Sequence, residues 1–115
     1  MFEIDKLAQA LRESCNAATQ AEPGDDDGSC NLDQPVIRIP GAKGSATIRA
    51  AAQLAGVEVD CFDWIGGKWF FVRCPLSGMA EKRSRMAIAA SRVLEELANS
   101  GSVPGLRATC WLQAD

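Results

Sequence analysis

The stretch CFDWIGGKWFFVRC, residues 61–74, constrains this chain more than any other. Two runs of aromatic and β-branched residues flank Gly66-Gly67, a pair that readily supplies the positive φ angles of a two-residue hairpin turn. A turn at those glycines sets Trp64 opposite Trp69, Phe62 opposite Phe71 and Asp60 opposite Arg73. Side chains alternate along a strand, so all six share one side of the pleat. The other side then holds Val59 with Cys74, Cys61 with Val72 and Asp63 with Phe70.

Around this hairpin the periodicity orders the remaining elements. Ile4, Leu7, Leu11, Cys15 and Ala18 recur at three- and four-residue intervals and predict a helix over residues 3–20. AEPGDDDGSCNLDQ breaks the period and reads as an acidic linker over 21–34. PVIRIP is a short strand. Ser45 is positioned to cap a helix through ATIRAAAQLA that Gly56 closes. Residues 79–99 form the longest helix, with Met86, Ala90, Val93, Leu94 and Leu97 on one face and Gly101 as its stop. LRATCWLQ is a final strand. From residue 35 the order is β-α-β-β-α-β, so the expected fold is α+β: a ferredoxin-like split sheet over 35–115 with both helices on one face, preceded by an extra amphipathic helix at 1–20.

The alternation also assigns faces. Leu106, Ala108, Cys110 and Leu112 share one side of the last strand, and Arg107, Thr109, Trp111 and Gln113 the other. Alanine-rich helices pack best on the small aliphatic side. The helix-free side then collects Phe62, Trp64, Trp69, Phe71 and Trp111 with Arg73 and Arg107, joined by Arg38 if Ile37 and Ile39 point to the core. Such a patch exceeds what monomers usually leave in water. Three covers are expected candidates: the chain's own N-terminal helix through Ile4, Leu7 and Leu11, a second copy, or a ligand.

Composition narrows the chemistry. There is no histidine, which removes the commonest general base and the Ser/His and Cys/His nucleophile pairs. The five cysteines (Cys15, Cys30, Cys61, Cys74 and Cys110) contain no CxxC pair, so they read as small buried hydrophobes in a reducing compartment rather than zinc ligands. The DDDG run lacks the glutamate of a calcium loop, having Gln34 at that place. No cofactor and no metal are expected. Nor is a membrane span, because no apolar run is long enough and the N-terminus is charged and amphipathic, unlike a signal peptide. A cytoplasmic location follows as an expectation. Charge is uneven: residues 1–34 carry two bases against eight acids, net −6, and residues 35–115 carry ten bases against seven acids, net +3. An acidic arm on a mildly basic body suits a steered or masked binding surface.

GKWFFVRC resembles the octapeptide on the third strand of the RNA-recognition motif family, matching at Trp69, Phe71 and Val72. The resemblance implies that Trp69 and Phe71 stack on bases and that Arg73 contacts phosphate or base. Phe70 stands where that family has a small residue, and Gly67 where it has a base. VIRIPG lacks the family's first-strand aromatic.

IPGAKGSATIR gathers Gly41, Lys43, Ser45, Thr47 and Arg49 at a strand-to-helix junction, where backbone N–H groups favour anions. The GxxxxGK[ST] spacing of a P-loop is absent. The stretch is similar to the anion loop of acylphosphatases, which share the architecture, but their asparagine near the hairpin is missing here. A Gly-rich connector is the plainer reading. The leading expectation is a small non-catalytic interaction protein, a homodimer or a docking module for another protein. Single-stranded nucleic-acid binding through the same face is the alternative. A phosphate-handling enzyme, with Lys43 and Arg49 as clamps and Asp60 or Asp63 as acid/base, is a third. EKRSR at 81–85 reads as a solvated helix face. Arg92 is expected to pair with Glu95 and Glu96.

Overall fold

The computed structural model describes residues 2–20, 34–73 and 80–111, with side-chain environments for 3–20, 34–73 and 86–111. The DDDG run, Cys30, Cys74, Leu112 and Gln113 lie outside the described residues, and Lys82, Arg83 and Arg85 outside the described side chains. The elements are α1 (Phe2–Gln20), β1 (Gln34–Arg38), α2 (Gly41–Ala55), β2 (Glu58–Trp64), β3 (Gly67–Arg73), α3 (Ala80–Ser100) and β4 (Arg107–Trp111). The fold is α+β. One antiparallel sheet, ordered β2-β3-β1-β4, carries the helices on a single face.

The stripe on α1 decides where that helix goes. Leu7, Leu11 and Ala18 are fully buried, and Ile4 and Cys15 pack beside them. They meet Ile48, Ala51 and Ala52 of α2 and Met86, Ala90 and Leu94 of α3 above Ile37, Phe70 and Val72 of the sheet. Alanines at the crossings let the backbones approach closely, so the large side chains of α1 reach into the common core. Each buried leucine contributes on the order of 1.5–3 kcal/mol. The N-terminal helix is therefore a part of the helical layer and does not cover the aromatic face. Its apolar stripe is already used.

The junction into α2 departs from the sequence expectation. The helix starts at Gly41, with Pro40 at the N-cap and no side-chain cap. Ser45 lies inside it rather than capping it. The reason is Gly44: a Cβ built there would sit 2.2 Å from the Ile39 carbonyl oxygen. Its absence lets the helix begin directly against the end of β1. Gly56 closes the helix as expected, in the left-handed region (φ 72°) with its N–H directed at the Ala52 and Gln53 carbonyls.

The hairpin turn is also displaced by one residue. Trp64 pairs with Gly67, so the two loop residues are Ile65 and Gly66, and the pairs are Phe62 with Trp69, Asp60 with Phe71 and Glu58 with Arg73. Gly66 (φ 85°) supplies the positive φ inside the loop, and Gly67 (φ 136°) holds a second one at the first residue of β3. Gly67 opens β3 because the Arg38 guanidinium lies over it, 2.8 Å from where a Cβ would be. Each strand partner thus slips by two residues. A slip of two preserves the pleat, so every side chain keeps its expected face.

Pro35 sits in a central strand, where it has no N–H to give. The ladder between β1 and β3 is correspondingly short, with Val36 against Phe71 and Ile37 against Phe70, whereas β1 pairs with β4 over its whole length. Cys61 is exposed. It has the parity of the core face, but β2 is an edge strand that α2 covers only lightly, so it is not the buried hydrophobe its spacing suggested. Among the described residues, no helix is long and apolar enough to cross a membrane, and no group of three or more candidate ligands could hold a metal ion.

Candidate interaction face

The row Asp60–Phe71–Val36–Thr109 crosses all four strands on the helix-free side. Phe62 and Trp69 lie in the neighbouring row toward the turn, and Trp111 lies opposite Gln34 toward the other end. The rings do not stand apart in solvent. Phe62 stacks on Phe71, with centroids 4.0 Å apart and planes 15° apart. Trp111 meets Phe62 edge to face at 5.2 Å and Phe71 at 5.7 Å. Trp64 meets Trp69 at 5.1 Å and Trp111 at 4.8 Å.

The five rings form one cluster that bridges from one edge strand to the other. Right-handed twist makes this possible, because diagonal corners of a twisted sheet curl toward one another. Beneath the rings, Val36 is completely buried. Favourable aromatic pairs add about 0.5–1.5 kcal/mol each beyond their buried area. The cluster acts as a small second core, and it answers part of the question of what covers this face: the rings cover one another and the strands below. Phe62, Trp64, Phe71 and Trp111 nevertheless stay half-buried.

Most polar groups described around the cluster find partners within the chain. Trp69 is only 8 % exposed, and its Nε1–H donates to the Ile65 carbonyl at 2.7 Å, pinning the indole against the turn. Arg73 donates through Nε to Asp60 and through Nη1 to the Gln34 side-chain oxygen (3.1 Å), with its guanidinium 5.5 Å from the Phe71 ring centre. Arg38 reaches the Gly66 carbonyl, leaving its buried Nε without a partner. Gln34, 8 % exposed, belongs to this site, whereas the loss of periodicity over 21–34 assigns it to the linker. The alternation Gln34-Val36-Arg38 was the signal that could have placed it. Arg107 stands at the far end of β4 from Trp111, directly opposite Arg38.

The residues expected at an anion site do not converge. Lys43 and Thr47 line one cleft beside Glu3, whereas Gly41 and Ser45 line another beside Lys68. The Thr47 hydroxyl donates to the Lys43 carbonyl of its own helix. Arg49 lies 5.2 Å over the Phe70 ring. Asp60 is on the sheet face opposite α2, paired with Arg73, and Asp63 pairs with Lys68 at 3.4 Å. Neither Asp60 nor Asp63 lines a cleft with Lys43 or Arg49 among those described. No family model matches the chain, and neither a curated protein nor a solved structure matches it significantly.

Proposed function

We propose that the protein is a small non-catalytic interaction module that docks another protein surface, a second copy included, on its aromatic sheet face. One observation carries this reading: four of the five rings keep exposed area after packing on each other, while the Trp69 indole N–H, Arg73, Asp60 and Gln34 beside them already have hydrogen-bond partners. Such a face offers apolar ring edges with few unmet hydrogen bonds, the character of a protein–protein interface core. We read the scaffold as ferredoxin-like, supported by the order β2-β3-β1-β4 and by helices confined to one face.

Single-stranded nucleic-acid binding is the weaker reading. It needs free ring faces on Trp69 and Phe71, yet Trp69 is buried and Phe71 has Phe62 stacked on it and the Arg73 guanidinium over its ring. The phosphate-handling reading is weaker still, because its clamps diverge. Light scattering and tryptophan emission across a dilution series test docking between copies. A mass that rises with concentration together with a blue shift supports it, and constant mass and emission leave only a foreign partner. Strong, salt-sensitive quenching by an oligonucleotide would replace it with the nucleic-acid reading.

A further inference from the structure

Charge is unevenly spread over the aromatic face. Strand register places Arg73 of β3, Arg38 of β1 and Arg107 of β4 on it, against Glu58 and Asp60 of β2. Both acids stand beside Arg73: Asp60 forms an ion pair with it, and Glu58 lies directly opposite it. Neither β1 nor β4 contains an acidic residue. The charge on that half of the face is therefore cationic.

Arg38 and Arg107 are direct partners across the β1–β4 ladder, and like charges so placed weaken the pairing of strands. Arg38 bends toward the hairpin, donates to the Gly66 carbonyl and lies over Gly67. Among the described residues its buried Nε has no partner. Arg107 is exposed. Its strand is an edge, so it also borders the cleft that Arg92, Glu95 and Glu96 line from α3. Arg92 makes no ion pair with either glutamate among the described residues, contrary to the expectation from their spacing, and the mixed charge of that cleft selects no ligand sign. The helix-free side does select one. The Arg38–Arg107 pair is level with the Phe62–Trp69 pair, two residues from the central row. One row thus runs from aromatic rings on β2 and β3 to guanidiniums on β1 and β4.

We propose that the partner docked on this face is an acidic protein segment, whose carboxylates meet Arg107 and Arg38 while its large apolar side chains pack on Phe62, Trp64 and Trp111. Charge complementarity argues for this occupant. A carboxylate beside the two arginines offsets a repulsion that the fold retains, and guanidinium binds carboxylate through paired N–H···O bonds. The aromatic face of a second copy offers only Glu58 and the already paired Asp60 among the described strands. A nucleic acid offers phosphates, but the rings of Trp69 and Phe71 are not free to stack on its bases. The inference rests on the reading of this face as a docking surface and names the chemistry of what docks there.

Fluorescence anisotropy with labelled octapeptides tests it. The probe contains two leucines and two aspartates, and its counterparts carry asparagine or lysine in place of aspartate. The aspartate peptide is expected to bind at low salt, to weaken as salt is added, and to bind at least about tenfold more tightly than the asparagine peptide. Arg107→Gln is expected to lose that preference. Lys68→Gln, an equal charge change on the opposite side of the sheet, is expected to keep it, and Phe62→Ser with Trp64→Ser to lose binding; far-UV circular dichroism checks that each variant folds. No binding of the aspartate peptide, equal binding of all three peptides, or equal losses from Arg107→Gln and Lys68→Gln overturns the proposal. Equal binding of the three that the ring variant abolishes leaves docking on the aromatic face standing without the acidic preference. Aspartate-selective binding that the ring variant leaves unchanged overturns both. A thymidine oligonucleotide that binds more tightly than the aspartate peptide replaces the acidic segment with nucleic acid, and dimers that exclude the peptide replace it with a second copy.

Discussion

Trp64, at the end of β2, and Trp111, at the end of β4, sit with ring centroids 4.8 Å apart and planes inclined by 62°. These strands are the two edges of the sheet, with β3 and β1 between them. The contact therefore closes the helix-free face corner to corner, and it explains why Val36, on a face without helices, is fully buried.

Trp111→Ala removes the β4 side of this closure. Its ring touches Phe62, Trp64 and Phe71 and remains partly exposed, so the cost should fall below that of a fully buried tryptophan, at about 1–3 kcal/mol. Chemical denaturation measures it. Trp64 emission in the variant is expected to shift to the red as its neighbour is lost.

Gly44→Ala should reverse the usual sign of a glycine-to-alanine change in a helix. At a compatible site that change stabilises by about 0.4–1 kcal/mol. Here the new Cβ would lie 2.2 Å from backbone oxygen, and backbone cannot yield as a flexible side chain does. A loss of about 1–3 kcal/mol is expected in thermal or denaturant unfolding.

Gly44 also shows where sequence reasoning stops. Alternation around the hairpin gave the faces of Phe62, Trp64, Trp69, Phe71 and Trp111 correctly, because a slip of two residues leaves the pleat unchanged. The turn is displaced by one residue, since two adjacent glycines look alike in sequence: both take positive φ, and Gly67 in addition makes room for Arg38. The start of α2 was misplaced for a related reason: Ser45 carries a local capping signal, while the close approach of Gly44 to Ile39 is a tertiary fact. The fate of α1 was open as well. Its stripe was legible, but nothing local distinguishes packing on helices from packing on the other side of a sheet.

Trp69→Phe keeps a ring in the cluster and deletes the donor to the Ile65 carbonyl. Ile65 is exposed in the turn, so water can replace the lost donor. A modest loss of about 0.5–1.5 kcal/mol is expected, and faster amide exchange in the turn would locate it.

Arg73 and Asp60 form an ion pair with side chains 43 % and 57 % exposed. Solvent screening keeps such pairs weak, so a double-mutant cycle with Arg73→Ala and Asp60→Ala should give a coupling of about 0.2–1 kcal/mol that declines with added salt. A larger, salt-insensitive coupling would mean that the pair is sealed from water by something docked over it.

The most direct test of the account is the accessibility of each indole, read by acrylamide quenching in three variants that retain one tryptophan and carry phenylalanine at the other two positions. An open aromatic face with a buried anchor predicts that Trp64 and Trp111 are quenched readily at low concentration, that Trp69 is shielded, and that only the first two lose accessibility when a partner docks. Equal shielding of all three in a dilute monomer would place the indoles under a covering layer and contradict the account.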